Sequence, residues 1–155
     1  MDKRIKYLII HCTATPEGRE VTKEDIILWH KAAKPAGRGW RRLGYSDLIS
    51  IADGLILLTN WNQDELIENH EMTWGASGIN SVSRHIVYAG GMDKNNKHPK
   101  DTRTKYQKYV LEHYCRLMLL RYPWLKIAGH NEFSSKACPS FDVQKWLKEI
   151  GLNNG

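Results

Sequence analysis

The residues best suited to chemistry lie near the end of the chain, in the run from residue 129 to residue 142. This run contains His130 and Cys138, with Lys136 two residues before the cysteine. An imidazole and a thiolate are both ligands that zinc accepts. The run therefore supplies half of a tetrahedral zinc site together with a nearby cation.

A third metal ligand is available near the start of the chain. His11 directly follows a short apolar run, residues 5–10, which we predict to be a buried strand. The carboxyl ends of strands are where α/β sheets gather their sites. Three protein ligands and one open position are typical of catalytic zinc, whereas structural zinc takes four. The spacing alone also allows a second interpretation, in which His11 and His130 are half-buried histidines and Cys138 is a small core residue.

A hydrolytic zinc site also needs groups that handle charge and protons. Lys136 is placed to meet a developing oxyanion, although a single lysine is more often a solvated surface residue. A tyrosine could position or relay a proton, and Tyr45, after Gly44, is the candidate. Composition alone does not separate Tyr45 from the other tyrosines, of which the chain has seven in all.

Length, charge and cysteine usage narrow the class of protein. The 155 residues fit one domain, and the net charge of +6 favours encounter with polyanions. The basic residues are scattered instead of forming a stripe, so we predict no nucleic-acid partner. Three cysteines cannot all pair and form no C-x-x-C motif, which indicates reduced thiols.

The N-terminal residues lack the long apolar region and cleavage site of a signal peptide. No apolar run approaches the roughly 20 residues that span a bilayer. We therefore predict synthesis in the cytoplasm, no membrane insertion, and access to any extracellular target by release or another export route.

Capping and turn signals predict the elements of the first half of the chain. Thr22 caps a helix over residues 23–33, whose helix-spaced face is Ile26, Ile27, His30 and Ala33. Asp53-Gly54 lies between the apolar runs 48–51 and 55–58, which predicts an antiparallel hairpin.

The second half alternates strands and helices. Residues 85–89 and 126–129 read as strands, the second leading into His130. Thr104 and Gln107 form a capping box that begins a helix ending before Pro123, with a face of Tyr106, Val110, Tyr114, Leu117 and Arg121. Residues 143–150 form a closing helix. We predict an α/β fold of one domain, with a core over about residues 5–150 and a central mixed sheet flanked by helices.

Six segments together resemble a known family. They are residues 9–15 (IIHCTAT), Trp29-His-Lys31, Gly44-Tyr45, Gly78-Ile-Asn80, Gly90-Gly91-Met-Asp93, and Gly129-His130 with Lys136-Ala-Cys-Pro-Ser-Phe-Asp142. In these segments the chain is similar to the zinc-dependent N-acetylmuramoyl-L-alanine amidases of the short phage-lysozyme type, which are related to peptidoglycan recognition proteins. The matches run in family order from about residue 5 to residue 148.

The resemblance implies a fold, a reaction and a set of site residues. It implies that His11, His130 and Cys138 bind Zn²⁺, and that Tyr45 and Lys136 are needed for hydrolysis. The implied reaction cleaves the amide between the lactyl group of N-acetylmuramic acid and the L-alanine of the stem peptide. The implied partner is peptidoglycan. The missing leader fits a phage or prophage lysin that acts on the cell wall, although a cytosolic recycling enzyme or a wall enzyme exported by other machinery would look the same. We expect a monomer.

Four positions depart from the family pattern. Ser46 and Gly75 stand where the family usually has histidines, and Arg84-His85 stands where its strand normally begins with Ile-Gly. None of these is a ligand position. We expect the departures to alter stem-peptide contacts and substrate preference before they abolish activity.

The remaining histidines and tryptophans receive no catalytic role from the sequence. The other five histidines show no ligand spacing, and we interpret them as structural or exposed: His30, His70, His85, His98 and His113. Most tryptophans are expected in the core. Trp40 and Trp74, in glycine-rich loops, are the two that could stack on sugar rings.

Three other functions compete with a zinc amidase. A receptor of the same fold would bind wall fragments without cutting them, and would be expected to have lost a ligand such as Cys138. A Cys-His hydrolase would use Cys12 as its nucleophile without a metal. Because neighbours on a strand point to opposite faces, Cys12 is expected in the core instead. A nucleic-acid binder has only the net charge in its favour.

Overall fold

The computed structural model describes residues 3–152, which form two sheets and three α-helices. The strands are β1 (Tyr7–Cys12), β2 (Thr15–Pro16), β3 (Asp47–Ile49), β4 (Leu55–Leu57), β5 (Ser83–Tyr88), β6 (Gly91–Met92) and β7 (Lys126–Gly129). The helices are α1 (Lys23–Lys31), α2 (Lys105–Arg121) and α3 (Val143–Glu149). Short 3₁₀ turns at Asn80–Val82 and His130–Glu132 precede β5 and follow β7.

The main sheet has the strand order β4-β3-β5-β1-β7. Strand β1 runs parallel to both β5 and β7, and β3 runs parallel to β5. Only β4 is antiparallel, as the partner of β3. The predicted mixed sheet flanked by helices is therefore confirmed. Parallel pairing brings the carboxyl ends of β1, β5 and β7 to one edge, where His11 and His130 lie.

Each face of the sheet packs against a different hydrophobic core. On one face, Leu8, Ile10 and Cys12 of β1 pack in the larger core with residues of α2 and α3. On the other, Leu48 and Val87 pack with Ile26 of α1 in a smaller core. Because successive strand residues alternate between faces, His11 lies on the α1 side and Cys12 enters the larger core, as expected.

Helix α1 begins at the predicted cap, and Thr22 and Asp25 form a capping box. The predicted face was partly wrong, because only Ile26 and His30 are buried while Ile27 is exposed. The helix also ends at Lys31, two residues earlier than predicted, and residues 32–40 lead back toward the site.

Helix α2 has the predicted capping box of Thr104 and Gln107. Its buried face was predicted only in part: Tyr114 is buried as predicted, Tyr106 and Leu117 are exposed, and the buried residues are Gln107, Leu111, Tyr114, Cys115 and Met118. Apolar residues occur on several sides of this helix, so hydrophobic spacing alone did not select one stripe. None of the helices formed by the described residues is both long enough and apolar enough to cross a membrane.

The predicted hairpin is present as β3 and β4, with Asp47 opposite Leu57 and Ile49 opposite Leu55. Strand β3 ends two residues before the predicted run does, at Ile49, and β4 begins as predicted at Leu55 but ends one residue early, at Leu57. The turn is closed by Ser50, whose Oγ accepts a hydrogen bond from the amide of Asp53 at 2.7 Å. Gly54 adopts a φ of 75°, a conformation that favours glycine.

Candidate active site

Three donor atoms meet at the carboxyl edge of the sheet. One ligand atom each from His11, His130 and Cys138 lies within 4.8 Å of the others. His11 comes from the end of β1, His130 begins the 3₁₀ turn after β7, and Cys138 lies in the following loop. The structure therefore brings together the three residues that the sequence proposed as ligands.

The spacing of these atoms fits zinc. Nδ1 of His11 lies 3.7 Å from Sγ of Cys138. With zinc bond lengths of about 2.1 Å to nitrogen and 2.3 Å to sulfur, tetrahedral geometry places the two donors about 3.6 Å apart. Two imidazoles and a thiolate are also the ligand types that zinc favours over calcium or magnesium. The donor types, and the one distance that can be compared, therefore fit this ion.

Local hydrogen bonds fix the loop that carries Cys138. The amide of Cys12 donates to Sγ of Cys138 at 3.3 Å, which favours a thiolate. The hydroxyl of Tyr88 donates to the carbonyl of Pro139 at 2.7 Å, and that of Ser140 donates to the carbonyl of Gly91 at 2.8 Å. Strands β5 and β6 therefore anchor the loop beside β1.

Without a cation, the Cys138 thiol has a high pKa. The hydrogen bond with the side chain of Cys12 and burial both raise the pKa of Cys138. A zinc ion favours the deprotonated thiol because it binds the thiolate. Metal binding at this site is therefore expected to release a proton from Cys138.

One of the three donors, His130, lines a small cavity of about 60 Å³. Its lining includes His130 together with Tyr45 and Lys136, the two residues assigned to hydrolysis by resemblance, and also Trp40 and Trp74. The two indoles meet edge to face, with ring centroids 6.0 Å apart. The cavity thus combines a metal ligand, a hydroxyl, an ammonium group and aromatic surface.

Tyr45 is held by a histidine that the sequence interpretation had left without a function. Nδ1 of His30 accepts a hydrogen bond from the amide of Gly44 at 2.9 Å, and the His30 and Tyr45 rings lie 5.1 Å apart. Burial lowers the pKa of His30 to about 4, so its ring is neutral and can accept that bond. Burial also raises the pKa of Tyr45, which keeps its hydroxyl protonated at neutral pH.

Lys136 is exposed at the rim of the same cavity. Burial and then the charge of Lys136 lower the pKa of His130. A neutral imidazole is the form that binds a metal. The lysine thus lies near enough to act electrostatically on the site.

A larger cavity, of about 630 Å³, adjoins the first and shares Trp74 with it. It contains none of the three donors and is lined in part by Lys31, Arg41 and Arg42. The smaller cavity is therefore the candidate reactive one, and the larger cavity, lined in part by positive charge, meets it at Trp74.

Similarity to known proteins agrees with this geometry. The chain is 30% identical to an endolysin of Enterobacteria phage K11 over 139 residues, which is 90% of this chain and 83% of that protein. No family model matched the chain. The chain belongs to the phage endolysin family.

Solved structures show the same fold at low sequence identity. The Ph2119 endolysin from a Thermus scotoductus MAT2119 bacteriophage superposes with a TM-score of 0.71 at 21% identity, over 99% of this chain and 88% of that one. The N-acetylmuramoyl-L-alanine amidase LysC of Clostridium intestinale URNW superposes with a TM-score of 0.70 at 18% identity, over 97% and 87%.

In this family member, three of the four departures from the family pattern are buried. Ser46 and Arg84 are each 1% exposed and His85 is 0% exposed, so none of them can contact a substrate directly. The expectation that the departures alter stem-peptide contacts and substrate preference stays a prediction. Gly75 does line the reactive cavity.

His85 was the functional contact that sequence reasoning missed. Its Nδ1 lies 2.9 Å from Nε2 of His11, on the side of the ring opposite the metal-facing nitrogen. The two residues are 74 positions apart, and only the parallel pairing of β1 with β5 brings them together. Burial lowers the pKa of His85 to about 3 and lowers that of His11 as well, so both rings are neutral.

Proposed function

We propose that this endolysin is a zinc-dependent enzyme that hydrolyses the amide between the lactyl group of N-acetylmuramic acid and L-alanine in peptidoglycan. The observation that carries the proposal is the cluster of three donors, one of which, His130, lines a cavity that Tyr45 and Lys136 also line. A closed structural site would instead surround the ion with four protein donors. Among the described residues, a fourth histidine or cysteine donor does not join this cluster.

In the proposed mechanism, His11, His130 and Cys138 hold the zinc ion. A zinc ion bound there would polarise the amide carbonyl and make water a competent nucleophile at neutral pH. The protein supplies neutral imidazoles, because burial lowers the pKa of both histidines. It also fixes the position of Cys138 through the amide of Cys12.

Lys136 and Tyr45 act on the reacting amide in this proposal. The Lys136 ammonium faces the oxyanion that forms on the carbonyl, and charge placed in advance is often the largest catalytic contribution. The hydroxyl of Tyr45 is protonated, because burial raises its pKa. Tyr45 therefore orients the reacting groups as a hydrogen-bond donor and does not begin the reaction as a general base.

The cavity also suggests how the substrate lies. Trp40 and Trp74 offer ring faces to the sugar, while Lys31 and Arg41 in the adjoining cavity offer positive charge to carboxylates of the stem peptide. The sugar would then lie at the smaller cavity, and the peptide would extend along the larger one.

Analysis of digested peptidoglycan tests the proposal. The purified chain with one equivalent of zinc is expected to release new L-alanine amino termini and no new reducing sugars, as detected by mass spectrometry of the muropeptides. A chelator should stop the release, and added zinc should restore it. New reducing ends would instead identify a glycosidase, and wall binding without any cleavage would identify a receptor.

Two cysteine variants serve as internal controls. Cys138→Ser is expected to lose both zinc and cleavage, whereas Cys115→Ser, which changes a buried cysteine of α2, should keep both. Cys12→Ser should also retain cleavage, because the Cys12 side chain points into the core. Loss of cleavage in Cys12→Ser but not in Cys138→Ser would favour the metal-free Cys-His hydrolase.

We further propose that one domain, about residues 5–150, carries the whole reaction as a monomer. It would be made in the cytoplasm and reach the wall after release or export, without insertion into a membrane and without a nucleic-acid partner. Light scattering of the purified chain, with and without wall fragments, tests the monomer directly.

A further inference from the structure

A second histidine lies directly behind the proposed ligand His11. His85 of β5 is opposite Ile9 of β1, two residues before His11, so both histidine side chains lie on the α1 face of the sheet. Their nitrogens approach to 2.9 Å, and their ring centroids are 5.0 Å apart. Because both side chains are fully buried, no solvent competes for this hydrogen bond.

The side-chain amide of Asn80, which contacts His85, determines which histidine donates in the hydrogen bond between His85 and His11. Oδ1 of Asn80 accepts from the amide of Ala76 at 2.8 Å, which identifies that atom as oxygen. The same oxygen lies 3.0 Å from Nε2 of His85, so Nε2 must carry the proton and donate. Nδ1 of neutral His85 is then an acceptor, and Nε2 of His11 must be the donor. The remaining nitrogen of His11, Nδ1, keeps its lone pair and faces Cys138.

The space for the His85 ring depends on a glycine. A Cβ atom at Gly75 would lie 2.4 Å from Nδ1 and 2.5 Å from Cγ of His85, and 2.8 Å from the carbonyl oxygen of Gly44. No side chain at position 75 could therefore coexist with this ring position. Gly75 and His85 are both departures from the family pattern, with a histidine lost at one and gained at the other.

We propose that His85 is a positioning residue, which holds His11 in the tautomer and orientation that present Nδ1 to the metal. Gly75 and His85 act as one unit in this role, because the glycine provides the space that the ring occupies. The inference rests on the proposed zinc site, but it concerns a residue that touches neither metal nor substrate. Partners of this kind commonly change metal affinity by 10- to 100-fold.

Matched variants of the full-length chain separate hydrogen bonding from packing. Asn places its Oδ1 near the position of Nδ1 of His85, so His85→Asn keeps an acceptor for His11. His85→Phe keeps a ring and removes the acceptor. Zinc affinity, measured by competition with a chelator, is expected to weaken by about 10- to 100-fold in His85→Phe and by less than about threefold in His85→Asn. Equal affinity of His85→Phe and the unchanged chain would overturn the proposal.

Imidazole nitrogen NMR on the zinc-free chain provides a readout that does not depend on catalysis. The unchanged chain should show His11 protonated at Nε2, and His85→Phe should show a mixture of the two tautomers. Predominant protonation at Nδ1 in the unchanged chain would refute the assigned direction. If the unchanged chain binds no zinc, the proposed function fails. If His85→Phe binds zinc as tightly as the unchanged chain and shows the same His11 tautomer, only the role of His85 is rejected.

Substitutions at Gly75 test whether the position of the His85 ring matters for zinc binding. Gly75→Ala should displace the ring of His85, so it should weaken zinc binding about as much as His85→Phe does. Adding His85→Gly to Gly75→Ala should restore only part of the stability to thermal unfolding, because it removes the clash with the ring but leaves the 2.8 Å approach to the Gly44 carbonyl oxygen, and it should not restore zinc affinity. Full zinc affinity in folded Gly75→Ala would show that the ring position does not matter. If Gly75→Ala fails to fold, the comparison of His85→Phe with His85→Asn still decides the proposal.

Discussion

At the scale of single residues, the proposed site separates metal binding from charge stabilisation. The three ligand atoms lie within 4.8 Å of one another, whereas Lys136 lies at the exposed rim of the cavity. Removing the lysine should therefore change the reaction without changing the metal site. This separation makes Lys136 the most informative single position after the ligands.

Lys136→Ala is expected to keep its zinc and to lose about 100- to 1000-fold in kcat, the usual effect of removing one oxyanion-stabilising group. The comparison is steady-state cleavage of a defined muropeptide with zinc content measured on the same samples. Lys136→Arg is the matched control and should recover part of kcat, because it keeps the charge with a different geometry. Loss of zinc in Lys136→Ala would contradict the division of roles.

The sequence was sufficient to propose the ligands but not their surroundings. His130 and Cys138 share one short run, and His11 ends an apolar strand, so residue type and local position were enough to suggest them. The contact between His11 and His85 required the register of two parallel strands, which no local pattern encodes. The burial of Arg84 could not be predicted from the sequence for the same reason, because its partners Asp47 and Tyr114 lie on other elements.

At the scale of elements, local signals predicted where helices begin better than which face they bury. The capping boxes at Thr22 and Thr104 form as predicted, because they depend on residues three positions apart. The buried face of α2 depends on the sheet it covers. There, Nε2 of Gln107 donates to the carbonyl oxygen of Ala89 at 3.0 Å, and Leu111, Cys115 and Met118 of the same face pack in the larger core.

A buried ion pair links β3, β5 and α2. Nη2 of Arg84 lies 3.1 Å from Oδ2 of Asp47, with the two side chains 1% and 4% exposed. The hydroxyl of Tyr114 donates to the same carboxylate at 2.6 Å, and the Trp61 ring covers the guanidinium at 4.1 Å. The cluster therefore satisfies charges that would be costly if left alone.

Breaking this ion pair should destabilise the protein strongly. Arg84→Met leaves Asp47 buried and unpaired, which is expected to lower the free energy of unfolding by about 3–5 kcal/mol in urea titrations. The double variant Arg84→Met with Asp47→Leu should recover most of that loss, because it removes both charges. Arg4→Met, at an exposed pair with Glu65, is the control and should cost less than about 1 kcal/mol. A small loss in Arg84→Met would mean that Asp47 finds solvent or another partner.

At the scale of the whole molecule, the active-site edge concentrates neutral, buried histidines. Burial lowers the pKa of His30 to about 4 and that of His85 to about 3, and it also lowers the pKa of His11. In the unfolded chain these groups bind a proton near pH 6.5. The unfolded state therefore takes up more protons than the folded state below that pH, and the zinc-free fold loses stability as the pH falls.

The zinc-free protein is accordingly expected to lose stability between pH 6.5 and pH 5. Over this interval His30 and His85 each account for about 2 kcal/mol, because each remains neutral only in the folded state. Urea titrations at pH 7.5, 6.5 and 5.0 in the presence of a chelator measure the change. His30→Gln should reduce the loss by about 2 kcal/mol. Equal stability at pH 6.5 and pH 5.0 would show that these rings accept protons in the folded state. In that case burial would not be what keeps the imidazoles of the site neutral.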